Sequence, residues 1–178
     1  SMPEARLLRL PEGEPSVDAS VFRAPGSVVV GDVAIGPDSS VWYNVVIRAD
    51  VAPVRIGSRT NIQDGSLLHA DPGFPCIVGD DVTIGHHAIV HGAKVGSGAL
   101  IGMGATVLNG AEIGEEAIVA AGAVVTEGTI VAPGTLVAGI PAREKRVLDE
   151  QGRKRGRDGA EGYVRNARRH MRATAVEE

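Results

Sequence analysis

The sequence has one cysteine, five aromatic residues and no apolar run approaching the ~20 residues of a membrane-spanning helix. The lone Cys76 excludes an internal disulfide. No apolar run follows a basic stretch at the start, so neither secretion nor membrane spanning has support, and the expected location is the cytoplasm. Ser1-Met2 reads as an expression scar and is set aside. Phe22, Trp42, Tyr43, Phe74 and Tyr163 are too few to build a core, which must therefore be aliphatic. Neither sign of charge dominates: 18 basic residues face 22 acidic ones, a net charge of −4 that calls for neither nucleic acid nor an anionic membrane. At 178 residues the chain is of one-domain size, and two large domains are excluded.

What is abundant is regularity. From Val95 onward an aliphatic residue recurs every six positions, through Ile101, Val107, Ile113, Val119, Val125 and Val131 to Val137. The same stride runs through Val29, Ile35, Val41 and Ile47, then Ile56, Ile62 and Leu68, then Val78, Ile84 and Val90. Three slips interrupt it: three extra residues before Ile56, four before Val78, and one missing before Val95. Four positions after the aliphatic stands Ala, Ser, Thr or Val, except at Pro72, Lys94 and Pro141. Gly follows the aliphatic at Gly36, Gly57, Gly79, Gly85, Gly96, Gly102 and Gly114, which suggests tight chain reversal there. Neither a helix nor an alternating strand has period six, and helical crossovers between parallel strands need ~10 or more helical residues that this spacing lacks.

The stride resembles the hexapeptide-repeat family. The resemblance implies an all-β fold, a left-handed parallel β-helix of triangular cross-section with three hexads per coil and about six coils. Each large aliphatic then points into the prism, and neighbouring coils satisfy one another's backbone groups ~4.8 Å apart. An N-terminal segment at 1–20 and the β-helix at 21–142 leave 143–178 as a C-terminal helical tail packing on the prism. Within that tail, 143–150 suits a short helix and the basic, glycine-bounded 152–159 suits a solvated loop. A helix from Ala160 carries Tyr163, Ala167 and Met171 on one stripe, with Val164 beside them.

Counting hexads assigns histidines to faces. His69 and His91 are each second in a hexad on one face and stack one coil apart, close enough for both imidazoles to converge on one ion. His86 falls around a corner and would join them only across a seam between parallel prisms of a three-fold homotrimer. Arg48 lies under His69, and Gln63 and Asp64 lie under His86.

These residues carry a second resemblance, to the γ-class carbonic anhydrases. The matching strings are Arg48-Ala-Asp50, Asn61-Ile-Gln63-Asp64, His69, Gly85-His86 and His91-Gly92, within a likeness spanning roughly residues 20–142. It implies zinc, or iron or cobalt, bound by His69, His86 and His91. The implied activity is zinc-hydroxide hydration of carbon dioxide to bicarbonate, with Gln63 orienting the bound water. It also implies that Asn61 braces the turn or the site and that Arg48 and Asp64 form an inter-subunit ion pair supported by Asp50. Tyr163 has two readings, a pocket aromatic by resemblance or a packing residue on its helical stripe. The efficient members' acidic loop is short here, and Val51 follows Asp50. His87 is expected not to be a ligand, His170 to be solvated and Cys76 to be inert. Two other functions fit the repeat: acyl transfer from acyl-CoA, suggested by the Gly139-Ile-Pro-Ala142 ending, and a non-catalytic trimeric scaffold that binds metal.

Overall fold

The computed structural model describes residues 4–178; Ser1 and Met2 lie outside them. All eighteen aliphatics of the six-residue stride are buried, none more than 5% exposed. Each burial is worth roughly 1.5–3 kcal/mol, and repetition every sixth residue winds the chain so that all of them meet on one axis. Strands stack parallel and in register, as in Ile62 on Ile84 on Ile101 on Val119 on Val137, and Ile56 on Val78 on Val95 on Ile113 on Val131. The result is a left-handed β-helix with a C-terminal helix.

The prism has about seven turns rather than six. Arg6–Leu8, Ser16–Val17 and Phe22–Arg23 pair with the strands that open the periodic region, as in Leu7 on Val29 and Val17 on Ile35. This first turn escapes the hexad count because a turn at Leu10–Gly13 breaks its stride.

The glycines after the aliphatics do not reverse the chain. The left-handed residue of each corner sits two positions later, at Asp38, Asn44, Arg59, Asp81, His87 and Glu116, or at glycines such as Gly98, Gly104 and Gly122. Gly36, Gly57, Gly85 and Gly102 instead lie where the next coil passes too close for a side chain: a Cβ at Gly85 would be 2.8 Å from the Met103 nitrogen. Ser39, Thr60 and Ser66, at the small fourth position, bond the carbonyls of Gly57, Gly79 and Gly85 at 2.7–2.9 Å, which satisfies polar groups inside the corners.

The tail differs from expectation in two places. Arg143–Val147 is an antiparallel strand on Thr135–Ala138, not a helix, and it covers one edge of the last coil. The basic stretch at 152–159 is largely helical: α1 spans Glu150–Arg153, capped by Asp149, and α2 spans Arg155–His170. Its glycines serve contact, since a Cβ at Gly156 would lie 2.6 Å from the Ala99 carbonyl oxygen. The acidic partner of its arginines is the prism itself. Arg157 reaches Asp81 at 3.3 Å and Glu116 at 3.6 Å, Arg153 reaches Glu116 at 3.6 Å, and Arg59 completes the row on Asp81 at 2.8 Å.

Helix α2 packs on Ser40–Val41, Asn61–Ile62 and Thr83–Ile84, one face of the prism. Trp42, Phe22, Tyr43 and Tyr163 gather at this junction. His170 is not solvated as expected: its ring packs 4.8 Å from that of Trp42, and its Nδ1 hydrogen-bonds Tyr43 Oη at 2.8 Å. Among the described residues no helix is long and apolar enough to cross a membrane.

Candidate metal centre

Parallel stacking places Arg48, His69 and His91 on successive rungs of one face. The rings of His69 and His91 lie 4.9 Å apart, with His69 Nδ1 2.9 Å from His91 Nε2. Their outer partners determine where the hydrogens are. His69 Nε2 is 2.9 Å from Asp50 Oδ1, and a carboxylate only accepts, so Nε2 carries a hydrogen. Asn109 Nδ2 donates to Asp71 Oδ2 at 2.8 Å, which turns Asn109 Oδ1 toward His91 Nδ1 at 2.7 Å, so that nitrogen also carries a hydrogen. In the neutral rings, His69 Nδ1 and His91 Nε2 are therefore bare, and two lone pairs face each other across 2.9 Å. Such an arrangement repels itself unless a proton or a metal cation lies between the nitrogens.

A divalent metal fits that arrangement. Two nitrogens bound to zinc at ~2.0–2.1 Å in tetrahedral geometry stand roughly 3.3 Å apart, within half an ångström of the spacing found. Asp71 belongs to the same cluster: its carboxylate and the ligand nitrogens of His69 and His91 all lie within 4.8 Å of one another. Asp50 also takes a bond from Arg48 Nη1 at 2.6 Å within the chain. The hydrogen bond from His69, opposed by slight desolvation and reinforced by Arg48, holds the Asp50 carboxyl below the usual carboxylate range.

His86 lies around the corner, on the face of Thr83–Ile84, where its Nδ1 is 2.9 Å from Asp64 Oδ2. It is not part of the cluster of His69, Asp71 and His91. His87 occupies the left-handed corner position with φ 55° and lays its ring over Gly65 of the coil below.

Gln63 is buried beside this second group and held in one orientation. Thr83 Oγ1 donates to the Gly156 carbonyl at 2.9 Å and accepts from Asn61 Nδ2 at 3.1 Å. Asn61 Oδ1 then accepts from Gln63 Nε2 at 3.0 Å, leaving the Gln63 carbonyl oxygen as the free end. Gln63, His86 and Arg155 border an open groove of about 500 Å³ along this face, floored by Leu100, Ile118 and Leu136. Tyr163 stands edge-on to Trp42 at 5.2 Å, and burial, with a further contribution from the charge of Asp64, raises its pKa. Cys76 is fully buried, which pushes its thiol up to about 12 and leaves it no thiolate at neutral pH.

Asp71 and Asn109 escaped the sequence reading. Asp71 lies in the Leu68 hexad just before the four-residue slip, and Asn109 sits in the hexad above His91. A carboxamide one coil above a stacked histidine is the signal that was available.

Residues 92–127 match the bacterial transferase hexapeptide (six repeats) family. Over 81 residues the chain is 52% identical to the carbonic anhydrase of Geobacillus kaustophilus, 46% of this chain and 44% of that one. Over 95 residues it is 44% identical to the mitochondrial gamma carbonic anhydrase 2 of Arabidopsis thaliana, 50% of this chain and 34% of that one. The chain thus spans about half or less of the length of these curated relatives. The crystal structure of a putative acetyltransferase from Bacillus cereus superposes with a TM-score of 0.90 at 41% identity, covering 92% of this chain and 95% of that one. The chain belongs to the hexapeptide-repeat family of left-handed β-helices, and about half of it is similar to γ-class carbonic anhydrases.

Proposed function

We propose that this protein is a γ-class carbonic anhydrase that hydrates carbon dioxide to bicarbonate at metal sites shared between the subunits of a cytoplasmic homotrimer. The observation that carries the reading is the pair of bare imidazole nitrogens, His69 Nδ1 and His91 Nε2, held 2.9 Å apart by outer partners that only accept. His69 and His91 supply two ligands to zinc, or to iron or cobalt, and His86 of a neighbouring copy supplies the third. Bound there, the ion contributes Lewis acidity that brings the pKa of a coordinated water down to ~7.

The chain's own groups do the positioning. The free carbonyl oxygen of Gln63 accepts a hydrogen from the site water and sets its orientation, and Asn61 fixes Gln63. Asp50 locks the His69 ring and holds Arg48 beside it, and Arg48 pairs in this reading with Asp64 of a neighbouring copy across the seam. Tyr163 supports the wall of the site through Trp42. The groove along the His86 face is open to receive the neighbouring prism.

The test is metal content followed by stopped-flow carbon dioxide hydration on the purified protein. We expect about one zinc or iron per subunit, trimers in solution, loss of metal on His86→Ala, and hydration above the buffer blank. Hydration equal to the blank with metal verified would sink the carbonic anhydrase reading and favour the metal-binding scaffold. Acyl transfer is the second reading, because the similar Bacillus cereus protein is a putative acetyltransferase and the same groove offers room for a ligand. It needs no metal, so a metal-free protein that consumes an acyl-CoA would replace the first reading with the second.

A further inference from the structure

We propose that Asn109 and Asp71 are positioning residues that lock His91 in the tautomer bearing its hydrogen on Nδ1, so that the Nε2 lone pair faces His69. The proposal rests on the metal-centre reading, because that lone pair is what an ion would take.

An imidazole left to itself populates both neutral tautomers, and only the hydrogen-bond partner of one nitrogen decides which is free. A lone asparagine makes a poor lock: its amide rotates, presenting oxygen or nitrogen with little cost. The structure removes that freedom with a second residue. Asp71 accepts only, so the Asn109 amide nitrogen must face it and the oxygen must face His91.

The placement is built by the slip in the repeat. The chain enters it through a hairpin in which the Phe74 nitrogen bonds the Asp71 carbonyl at 2.8 Å. Phe74 anchors the hairpin over the next two rungs, where a Cβ at Gly92 would meet Phe74 Cβ at 2.9 Å and one at Gly110 would meet its ring at 3.3 Å. Asn109 Oδ1 fills the space a Gly92 side chain would need, so the glycine that follows His91 makes room for the lock. Hairpin, glycine and asparagine come from three rungs and converge beside His91, where Asn109 meets Nδ1, Asp71 holds Asn109 and Gly92 leaves the room.

Two readouts on the full-length protein test this. Long-range ¹H–¹⁵N correlation spectra of metal-free protein at pH 8.5 report the tautomer of His91 directly, and competitive zinc titration reports affinity. We expect the Nδ1–H form in the parent and a shift toward Nε2–H in N109L, with zinc affinity falling about 10- to 100-fold as for loss of other groups that orient a metal ligand. D71L, which frees the amide to rotate, should give a tautomer mixture and an intermediate loss. The double swap D71N/N109D returns a pure acceptor to position 109 and a donor to position 71, and should restore both readouts. N109L with the parent's tautomer and affinity would overturn the proposal. A parent that binds no zinc would remove the metal reading, while the spectra would still decide whether the lock exists.

Discussion

Thr83 Oγ1 donates to the Gly156 carbonyl at 2.9 Å, so the hydroxyl that anchors α2 to the prism also joins the Val82 carbonyl in orienting Asn61 and, through it, Gln63. Replacing it with a shape-matched apolar group separates anchoring from packing. Thr83→Val should cost about 1–2 kcal/mol of stability, because it removes both hydrogen bonds of a buried hydroxyl. It should also lower hydration activity modestly, because the Asn61 amide that holds Gln63 then keeps only its bond to the Val82 carbonyl at 3.2 Å. Chemical denaturation and stopped-flow assays on the same preparation check both, and an activity loss without a stability loss would break the proposed coupling.

Two kinds of glycine give opposite expectations for substitution. Gly122 has φ 70° and open space where a Cβ would be, the situation that Asn44 tolerates at φ 60°. Gly122→Asn should therefore change stability by less than about 1 kcal/mol. Gly102 has no unusual φ, but a Cβ there would lie 2.8 Å from the Val119 carbonyl oxygen and the Ala120 carbonyl carbon. Gly102→Ala should cost roughly 1–3 kcal/mol or more by forcing two coils apart. Unfolding midpoints of the two variants test the assignment, and it fails if the order is reversed.

The row of charges Arg59, Asp81, Arg157, Glu116 and Arg153 ties α1 and α2 to one corner of the prism. Its members are partly exposed, so each pair is worth less than about 1 kcal/mol. Arg157 touches both acidic groups, and Arg157→Met should lower stability by roughly 1 kcal/mol at low salt. The deficit should shrink in 1 M NaCl, where the Debye length is ~3 Å. A deficit independent of salt would show that Arg157 acts through packing alone.

Burial raises the Cys76 thiol from 9.0 to about 12 in the folded protein. The neutral thiol is the form the folded state favours, so the contribution is fully present below the unfolded pKa and is lost as pH rises toward 12. Between pH 9 and 12 the unfolded chain has released a proton that the folded chain keeps, and stability falls by at most about 1.4 kcal/mol per pH unit. Denaturation at pH 8, 9 and 10 should show this slope flattened by one proton in Cys76→Ala. Identical slopes would mean that the thiol ionises in the folded protein as it does in the unfolded one.

Once the resemblance supplied the prism, the period of six was enough to give the stacking of Arg48, His69 and His91 and the separation of His86, because in-register coils convert sequence spacing directly into position. Side-chain identity likewise marked Cys76 as unreactive, and spacing set His87 apart from the ligand pattern, while its corner position came from the structure. The places where the reading departed from the structure are those where contact overrides local pattern. Gly156 and Gly159 look like helix breakers but lie inside α2 because the helix must approach Ala99 and Thr83. His170 looks like a tail residue but is packed against Trp42, 128 positions away. The pairing of Asp71 with Asn109 and the one-way hydrogen-bond chain from Gly156 to Gln63 belong to the tertiary structure alone. A repeat specifies where each rung lies, but the direction of a hydrogen bond depends on which groups from different rungs meet, and no spacing in the sequence encodes that.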